Sequence, residues 1–491
     1  MKLSTLLNGV PVRAQTAQDV EITGITEHSE QVEKGNLFVC ARGSRRDGHH
    51  FAEEAIGRGA SAVVVQHALP QDFPQVLVTD SKQACAVLSA NFCGRPADSL
   101  VVSGITGTNG KTTTAWILRQ LLEQNGCLTG LAGTVQNCAA GFAEPASYTT
   151  PEAPQLHALL ARMKKQNCTH VVLEASSQAL DQQRLFGIRF RCAVFTNLTP
   201  EHLDYHHSME EYYQAKRKLF ENCACAVINI DDPWGARLTR EIAGSIVTCS
   251  GAYPLADYQY SDVVYSTDGT EFALRTRGGK FRIRTPLLGR CNVENSVCAA
   301  AAAIELGVPP RKAFTALENV VPVAGRAQRL ELGTPFDVII DYAHTPDGLK
   351  KILDALRPVC RGRLICVFGC GGDRDREKRP LMGAAAVKGS DYVVLTSDNP
   401  RTENPRKIMN DILAGMAGAT VPVEQVEERA EAIARAVSLA RAGDLILLAG
   451  KGHENYQIRA DGKIRFDEQK IAAEAVRNAE NTQTTQKSGK V

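Results

Sequence analysis

Short apolar runs that end in a polar residue recur along the chain, and their pattern divides it into three blocks. In the first hundred residues, the runs 36–40 and 61–65 predict short strands with an Ala-rich helix over 51–59 between them. From residue 100 a strand leads into a Gly-rich turn and a helix, and later strands are predicted at 171–174, 193–196 and 226–229. Strands that alternate with helices and are apolar on both faces predict a doubly wound, mainly parallel sheet.

The third block again has apolar runs that end in polar or Gly-rich turns. It predicts a second open sheet with strands at 338–341, 364–368, 392–395 and 445–448. We therefore expect an α/β protein of three domains: a small N-terminal α/β domain over 1–98, a central doubly wound domain over 99–324 and a Rossmann-like C-terminal domain over 325–480. Residues 481–491 are polar and lack a pattern, which predicts a disordered tail.

Composition narrows the class of protein. The 491 residues are 44% hydrophobic and 22% charged, as in packed globular proteins. With 56 Lys and Arg against 54 Asp and Glu, the net charge is only +2, which disfavours a nucleic acid as partner. A mean hydropathy of −0.18, with no long uncharged apolar run and no secretory signal, predicts no membrane insertion. The 15 scattered cysteines contain no C-x-x-C pair, which favours reduced thiols in the cytoplasm.

A phosphate-binding loop is predicted between the first central strand and its helix. Backbone N–H groups of such a loop and the helix N-terminus bind anions, a lysine reaches the terminal phosphates, and a threonine hydroxyl binds Mg²⁺. Ile105 stands where the strict Gly-x-x-x-x-Gly-Lys-[Ser/Thr] spacing needs glycine, and a Gly-rich turn without a ligand is the alternative. Gly-Lys-Thr between a strand and a helix favours a nucleotide. The loop comprises Gly107, Thr108, Asn109, Gly110, Lys111, Thr112 and Thr113.

Residues whose side chains could bind metal or take part in catalysis also follow the central strands. Each of them can alternatively be explained by an ordinary structural role. A strand-end carboxylate such as Glu174 is commonly a cap, but beside the loop it is suited to hold a cation. Residues 196–206 contain two histidines and two carboxylates, which also suit local turn capping. Lys216 lies in an amphipathic stretch typical of a solvated helix. No Asn-Lys-x-Asp guanine motif is present, so a kinase or an ATP-driven ligase remains open.

Several stretches taken together resemble the Mur ligase family of peptidoglycan synthesis, in order from near residue 29 to about 457. They are 104–114, Glu174-Ala-Ser-Ser177, Thr196-Asn-Leu with 202–206, 289–295, Gly325-Arg326 and 341–347. The resemblance implies an ATP-dependent ligase that forms an acyl phosphate, with Mg²⁺ at Thr112, Glu174 and His202. It further implies that Lys216 carries a carbamate (N6-carboxylysine) that binds metal, and that the nucleotide contacts Asn292, Asn295, Arg326 and Asp341.

The resemblance also implies a UDP-sugar peptide as the first substrate, namely UDP-N-acetylmuramoyl-L-alanyl-D-glutamate. The family usually has Asp-Ser-Arg where this chain has His28-Ser29-Glu30, and Asn is frequent where Tyr148 stands. The positions that match substrate-contacting residues of the family are Ser29, Ser44, Thr149, Thr150, Ser176, Gln182 and Arg184.

The stretches 368–376, 398–401 and 450–454 resemble the family members that add meso-diaminopimelate. This amino acid differs from lysine by a second carboxylate, which a planar guanidinium grips with two parallel hydrogen bonds. Arg401 is suited to that grip, Arg374 to the other carboxylate, and Asp398 and Glu454 to the distal ammonium. A turn at Asn-Pro with Arg401 capping a helix is the alternative. The matching positions are Arg374, Asp398, Asn399, Pro400, Arg401, Gly450 and Glu454.

Three rival functions remain open at this stage. A lysine-adding Mur ligase and a folylpolyglutamate-type synthetase share the ATP chemistry, whereas a non-enzymatic scaffold would bind ATP only to change shape. The expected partners are ATP, the UDP-sugar dipeptide and meso-diaminopimelate, with Mg²⁺ as cofactor. A monomer is the default expectation.

Overall fold

The computed structural model describes residues 1–43, 46–70, 72–266 and 268–488. Contacts within the chain divide it into two compact units, Met1–Gln259 with Val297–Ala316 and Tyr260–Ser296 with Leu317–Val491. The first unit holds the N-terminal domain and the phosphate loop, and the second holds the C-terminal sheet. All fifteen cysteines are free. Across the described ranges, no helix is both long and apolar enough to cross a bilayer.

The N-terminal domain is built on a small sheet, which within its described residues has five strands. Its strands are β1 (Val12–Gln15), β2 (Gly24–Thr26), β3 (Asn36–Val39), β4 (Ala62–Val65) and β5 (Gln75–Val78). Its helices are α1 (Leu3–Leu6), α2 (Ala52–Gly57) and α3 (Ser81–Phe92). The strand order is β1-β5-β4-β3-β2, with β1 antiparallel and the others parallel. The strands predicted at 36–40 and 61–65 are confirmed as β3 and β4.

A second, larger sheet carries the phosphate loop. Its strands in the first unit are β6 (Val101–Thr106), β7 (Thr129–Ala132), β8 (Gln136–Ala139), β9 (Phe142–Pro145), β10 (His170–Glu174), β11 (Cys192–Phe195), β12 (Cys225–Asn229) and β13 (Ser245–Ser250). Their order is β13-β12-β11-β6-β10-β7-β8-β9, parallel from β13 to β7 and antiparallel beyond. The helices are α4 (Lys111–Glu123), α5 (Ala153–Lys165), α6 (Ser177–Asp181), α7 (Leu203–His206), α8 (Met209–Arg217) and α9 (Pro233–Glu241).

The central strands are buried on both faces, as their apolar runs predict. Every residue of β11 and β12 is buried, and in β10 only the first residue, His170, is partly exposed. A parallel sheet covered by helices on both sides leaves no solvent face for polar side chains. Polar groups are consequently concentrated at the carboxyl ends of these strands, where the backbone leaves the sheet.

The chain then passes from the first unit into the second. Strands β14 (Tyr258–Ser266), β15 (Gly269–Thr276) and β16 (Gly279–Thr285) come next, and β15 and β16 form an antiparallel hairpin in the second unit. Helices α10 (Arg290–Glu305) and α11 (Pro310–Leu317) follow.

The C-terminal domain contains the second open sheet that the sequence predicts. Its strands, with one separate hairpin, are β17 (Gln328–Arg329), β18 (Asp337–Asp341), β19 (Leu364–Phe368), β20 (Tyr392–Leu395), β21 (Val423–Gln425), β22 (Leu445–Ala449), β23 (Tyr456–Arg459) and β24 (Gly462–Arg465). The sheet order is β17-β18-β22-β19-β20-β21, parallel except at β17. The helices are α12 (Pro346–Leu356), α13 (Lys378–Gly389), α14 (Pro405–Leu413), α15 (Arg429–Leu439) and α16 (Glu468–Ser488).

Helix α16 differs from the sequence expectation at its end. It continues to Ser488, although a disordered tail is expected from residue 481. Residues 481–488 are polar but include no glycine or proline before Gly489 that would interrupt the helix. Polarity alone therefore does not end a helix here. The domain boundaries at 98 and 324 stay predictions.

His157 on α5 gives the fold a predicted sensitivity to acid. Its ring is buried and, in the described part of the chain, neither nitrogen has a hydrogen-bond partner. Burial, assisted by Arg95 and opposed by Asp98, lowers the pKa of His157 to about 4. Because this folded-state pKa lies below the unfolded value of about 6.5, the group favours folding above pH 6.5 and that contribution is lost as the pH falls towards 4.

We expect His157→Leu to lose less thermal stability than the parent protein when the pH falls from 7.5 to 5. Thermal unfolding of both proteins at the two pH values measures the difference in Tm. The exposed His50 provides the matched control, His50→Leu, which should retain the parent's pH dependence. Equal losses of Tm in His157→Leu and the parent would contradict the assignment.

Candidate active site

The loop after β6 has the backbone that a phosphate cradle requires. Gly107 has a φ of +146°, and a Cβ there would lie 1.9 Å from Thr196 Oγ1. Gly110 has a φ of +86° and immediately precedes α4. Ile105 pairs with Glu174 and Val194 inside the sheet, so the strand continues through the position at which the strict pattern has glycine. The loop therefore opens at Gly107, and its departure from the strict pattern follows from a longer strand.

Two lysines converge on this loop. Lys111 Nζ donates to Gly107 O at 2.9 Å and to Thr108 O at 2.8 Å, and Lys216 Nζ donates to Gly107 O at 2.8 Å. Lys216 is completely buried on α8, with its ammonium 4.5 Å from the Tyr212 ring centroid. Burial, and then the charge of Lys111, lower the pKa of Lys216 well below its usual value. The amphipathic pattern favours the interpretation of Lys216 as a solvated surface lysine. That interpretation is wrong, because α8 turns this residue towards the loop.

Glu174 ends β10 beside the loop and is buried. Its Oε2 accepts hydrogen bonds from Thr112 Oγ1 at 2.8 Å and Thr134 Oγ1 at 2.9 Å, and its Oε1 accepts from Thr134 N at 2.8 Å. A Cβ at Gly133 would lie 2.2 Å from Oε1. The sequence reasoning missed Thr134, although β7 pairs in register with β10 and its carboxyl end therefore arrives next to Glu174.

The structure places only some of the residues expected to bind magnesium next to one another. Thr112 and Glu174 offer a hydroxyl and a carboxylate 2.8 Å apart, the oxygen donors that Mg²⁺ prefers, so these two residues fit the ion. His202 lies 3.9 Å from the Glu201 carboxylate and packs edge-on to the Tyr212 ring. Burial lowers the pKa of His202, Glu201 opposes this, and Lys111 and Lys216 add to it. In the ranges the structure describes, no group of three or more His, Cys, Asp and Glu side chains is arranged around a metal position.

Predicted substrate residues gather around the end of β10. Thr149 Oγ1 lies 3.1 Å from Thr134 Oγ1, and Thr150 Oγ1 donates to Glu174 O at 2.6 Å and accepts from Ser176 N at 3.0 Å. Arg184 Nη1 donates to Thr150 O at 2.8 Å. This network links the carboxyl end of β10 to the segment after α6. The Arg184 guanidinium also donates to Gln182 Oε1 from Nη2 at 2.7 Å and from Nε at 3.0 Å.

A cavity of about 290 Å³ lies beside Gln182 and Arg184 and reaches into the N-terminal domain. His28 Nε2 lies 2.8 Å from Glu152 Oε2 there, a pairing that the sequence reasoning missed. Ser29 Oγ donates to Glu54 Oε2 at 3.0 Å, so this hydroxyl is engaged within its own domain. Ser44 lies outside the described residues. The cavity is also lined by Arg42, Arg46, Lys82 and the half-buried Glu27, whose pKa is raised by burial and by Glu152.

Arg374 and Arg401 meet at Gly371 in the C-terminal domain. A Cβ at Gly371 would lie 2.9 Å from Arg401 Nη1 and 3.8 Å from Arg374 Cγ. Arg401 has a φ of +52°, its N donates to Ile458 O at 3.1 Å, and its Nη1 donates to Gly372 O at 2.8 Å. Arg374 is exposed. The structure therefore brings together the two guanidinium-bearing side chains that the sequence singles out.

The predicted acidic partners form one cluster in the same domain. Asn399 Nδ2 donates to Glu454 Oε2 at 2.9 Å, and a Cβ at Gly450 would lie 3.8 Å from Asp398 Cγ. Glu403 N donates to Pro400 O at 3.1 Å, so Pro400 begins a turn. Helix α14 has Asn404 as its N-cap, which excludes the alternative in which Arg401 caps that helix.

The remaining predicted nucleotide residues also lie in the second unit. Asn292 Nδ2 donates to Leu288 O at 2.8 Å, and Asn295 Nδ2 donates to Asn292 Oδ1 at 3.1 Å. Asp341 accepts from Ala327 N at 2.7 Å and from Ala343 N at 2.8 Å. Burial raises the pKa of Asp341, and Arg326 is the largest opposing influence, so these two charges act on each other.

Family models account for the three blocks. The Mur ligase family, catalytic domain model matches 21–92, the Mur ligase middle domain model matches 105–303, and the Mur ligase, glutamate ligase domain model matches 325–452. A relative from Syntrophomonas wolfei, UDP-N-acetylmuramoyl-L-alanyl-D-glutamate--2,6-diaminopimelate ligase, is 42% identical over 97% of this chain and 99% of its own. The chain belongs to the Mur ligase family.

Solved structures agree with this Mur ligase fold. The chain is similar to a UDP-N-acetylmuramoyl-L-alanyl-D-glutamate--2,6-diaminopimelate ligase, with a TM-score of 0.69 and 34% identity over 94% of this chain and 96% of the other. It is similar in fold to a Mycobacterium tuberculosis folylpolyglutamate synthase complexed with ADP and AMPPCP. That comparison has a TM-score of 0.62 and 18% identity, covering 81% of this chain and 94% of the other.

Each group of site residues described above lies within, or directly beside, one of the three segments that the family models match. Ser29 falls in the first match, and Lys111, Glu174 and Lys216 fall in the second. Arg401 falls in the third, while Glu454 lies two positions beyond its end at 452. The loop chemistry is therefore in the middle domain of this Mur ligase and the paired arginines are in its C-terminal domain.

Proposed function

We propose that this Mur ligase uses ATP to join meso-diaminopimelate to UDP-N-acetylmuramoyl-L-alanyl-D-glutamate, in the cytoplasmic synthesis of peptidoglycan precursors. The observation that carries the proposal is the amino-acid site, where Arg374 and Arg401 flank Gly371 and Asp398 and Glu454 form an acidic cluster. The far end of meso-diaminopimelate bears a carboxylate and an ammonium. A site with both guanidinium groups and carboxylates complements that pair of charges.

The phosphates of ATP would occupy the loop from Gly107 to Gly110. Its backbone N–H groups, the α4 N-terminus and Lys111 supply positive charge, and Lys111 would exchange its bonds to loop carbonyls for phosphate oxygens. Thr112 and Glu174 would hold Mg²⁺, with His202 as a further ligand of the site. When bound, the ion neutralises negative charge on the phosphates.

Lys216 would carry a carbamate. A carbamate forms when a neutral amine attacks CO₂ and releases a proton, and burial, by lowering the pKa of Lys216, favours that neutral amine. The modification would replace the Lys216 amine by an anion that attracts the Lys111 ammonium, since both side chains reach Gly107 O. The carbamate would also give the metal site another oxygen ligand.

The reaction needs no protein nucleophile. Transfer of the terminal phosphoryl group of ATP to the α-carboxylate of the D-glutamyl residue gives an acyl phosphate and ADP. The amine of the incoming amino acid then attacks the acyl carbon, phosphate leaves, and a proton is released. The residues of this chain contribute by holding two anionic reactants in contact and by offsetting their charge.

The UDP-sugar peptide would occupy the cavity beside Arg184. The cavity of about 290 Å³ is lined in part by Arg42, Lys82 and Arg184, whose positive charges would attract an anionic ligand. Thr149, Thr150 and Ser176 lie next, at the end of β10, and would receive the peptide end of the substrate. Because Ser29 already donates to Glu54, we propose that it acts by shaping the cavity wall.

Release of ADP tests the proposed function. We expect release when ATP, Mg²⁺, the UDP-sugar dipeptide and meso-diaminopimelate are all present, and a rate at the background level when any one is omitted. Release with lysine but not with meso-diaminopimelate would show a lysine-adding ligase. Release with a folate and glutamate alone would show a folylpolyglutamate-type synthetase, and no release with any mixture would favour the scaffold. We further infer that the protein acts as a monomer.

A further inference from the structure

A fully buried lysine, Lys451, lies at the centre of the acidic cluster in the C-terminal domain. Its Nζ donates to Asn399 Oδ1 and Tyr456 O, each at 2.9 Å. It lies 3.4 Å from Asp398 Oδ1 and 3.4 Å from Glu454 Oε2. Burying an ammonium is costly unless opposite charges and hydrogen bonds compensate it, and the two carboxylates provide that compensation. The ammonium is thus fixed between them.

Asn399 completes a rigid frame around the two carboxylates. Its Nδ2 donates to Glu454 Oε2 at 2.9 Å, while its Oδ1 accepts from Lys451 Nζ and from Ile458 N, each at 2.9 Å. Glu454 is consequently held by an amide and an ammonium together. Asn399, which the sequence suggests as a direct ligand of the amino acid, is engaged by these three groups instead.

Asp398 retains an unused acceptor within this frame. Its Oδ1 is buried and accepts no hydrogen bond from the residues that the structure describes, although the Lys451 ammonium is 3.4 Å away. Gly450, with a φ of +115°, faces the same carboxylate, so no side chain covers it from that direction. An acceptor that is buried and unsatisfied is costly, and a donor from a ligand would remove that cost.

The charges of the cluster leave one negative charge in excess. Asp398 and Glu454 carry two negative charges and Lys451 carries one positive charge. Behind them, Arg429 is paired with Glu468 at 2.7 Å, with both side chains buried, so this second pair is neutral overall. A single excess negative charge is matched by one ammonium group. Without Lys451, the two carboxylates would repel each other and lose their common orientation.

We propose that Lys451 is a positioning residue that holds Asp398 and Glu454 in the orientation that receives the distal ammonium of the incoming amino acid. The inference rests on the proposed function and extends it to selectivity. Lys451 itself has no donor left for the substrate, because its three N–H groups donate to Asn399 Oδ1, Glu454 Oε2 and Tyr456 O. Its effect is on which amino acids are accepted, since only those with a second ammonium use the oriented acceptors.

The experiment compares meso-diaminopimelate with L-2-aminopimelate, which keeps both carboxylates and the reacting amine but lacks the distal ammonium. We expect Lys451→Met to raise the KM for meso-diaminopimelate by about tenfold or more, and to change the KM for L-2-aminopimelate by about twofold at most. The preference for meso-diaminopimelate in kcat/KM should therefore fall towards unity. The KM values for ATP and the UDP-sugar dipeptide should not change.

Lys463→Met is the matched control, because Lys463 is an exposed lysine whose Nζ lies 3.4 Å from the centroid of the neighbouring Tyr456 ring. It should keep the parent's preference between the two amino acids. Lys451→Gln, which retains a donor but no charge, repeats the test if Lys451→Met does not fold. An equal loss on both amino acids, or an unchanged preference in a folded variant, would overturn the proposal. If the parent protein itself shows no turnover with meso-diaminopimelate, the proposed function fails instead.

Discussion

Substitution of Lys216 by alanine is expected to lower kcat by about 10²–10³-fold, the range typical of losing one preorganised electrostatic group at a reaction centre. The buried Lys216 Nζ contacts Gly107 O, at the first position of the phosphate loop. Alanine removes both this contact and the proposed carbamate. Because the side chain is completely buried, its removal also leaves an empty space beside the loop.

Because this space can admit a small molecule, the proposed carbamate can be tested by chemical rescue of the activity of Lys216→Ala. Formate, acetate or propionate added to Lys216→Ala should restore part of the activity, since a free carboxylate can take the place of the carbamate anion. Alkylamines of similar size should not restore it. The expected result is a saturable increase in the rate of ADP release with carboxylate concentration, measured at constant ionic strength.

Lys218→Ala is the matched control for this experiment. Lys218 lies two residues further along the chain, is partly exposed and pairs with Asp181 at 3.0 Å. Its substitution should leave kcat within about twofold of the parent, as is usual for exposed ion pairs. Rescue of Lys216→Ala by amines rather than carboxylates would show that an ammonium is the active form, and the carbamate would then be rejected.

The main features of the sheets could be predicted from the sequence because parallel strands leave a clear signal. Strands such as β10 and β12 are apolar on both faces and end in Glu174 or Asn229, so one pattern marks both the element and its functional end. Thr134, whose N and Oγ1 both bond to Glu174, follows β7, whose Thr-Gly-Leu-Ala sequence lacks this apolar signal. Its position beside Glu174 emerges only from the pairing of β7 with β10.

Other parts of the site depend on contacts that the local pattern does not contain. His28 and Glu152 lie 124 positions apart and meet at 2.8 Å, and no periodicity along the chain connects them. Lys451 lies in a Gly-rich segment that indicates a turn, yet its burial depends on Asn399, 52 positions earlier. Helix α16 shows the converse, because it continues to Ser488 through the polar residues from which a tail is expected.

Arg401→Lys is expected to raise the KM for meso-diaminopimelate by about 100-fold while changing kcat far less, because it removes a bidentate bond that forms on binding. Arg401 Nη1 donates to Gly372 O at 2.8 Å, which orients the guanidinium towards Gly371. The planar fork can keep this anchor while other N–H groups meet a carboxylate. A lysine ammonium is a single centre and cannot reproduce both functions with the same geometry.

The comparison with a neighbouring arginine separates this role from a general effect of charge. Arg376→Lys is the control, since Arg376 is highly exposed and contacts Glu403 at 3.1 Å, and its KM for meso-diaminopimelate should stay near the parent value. An unchanged KM in Arg401→Lys would refute the carboxylate grip. An increase of the same size for lysine as for meso-diaminopimelate would also refute it, because lysine has no distal carboxylate. A loss confined to meso-diaminopimelate would mean that Arg401 contacts the second carboxylate, the group that lysine lacks.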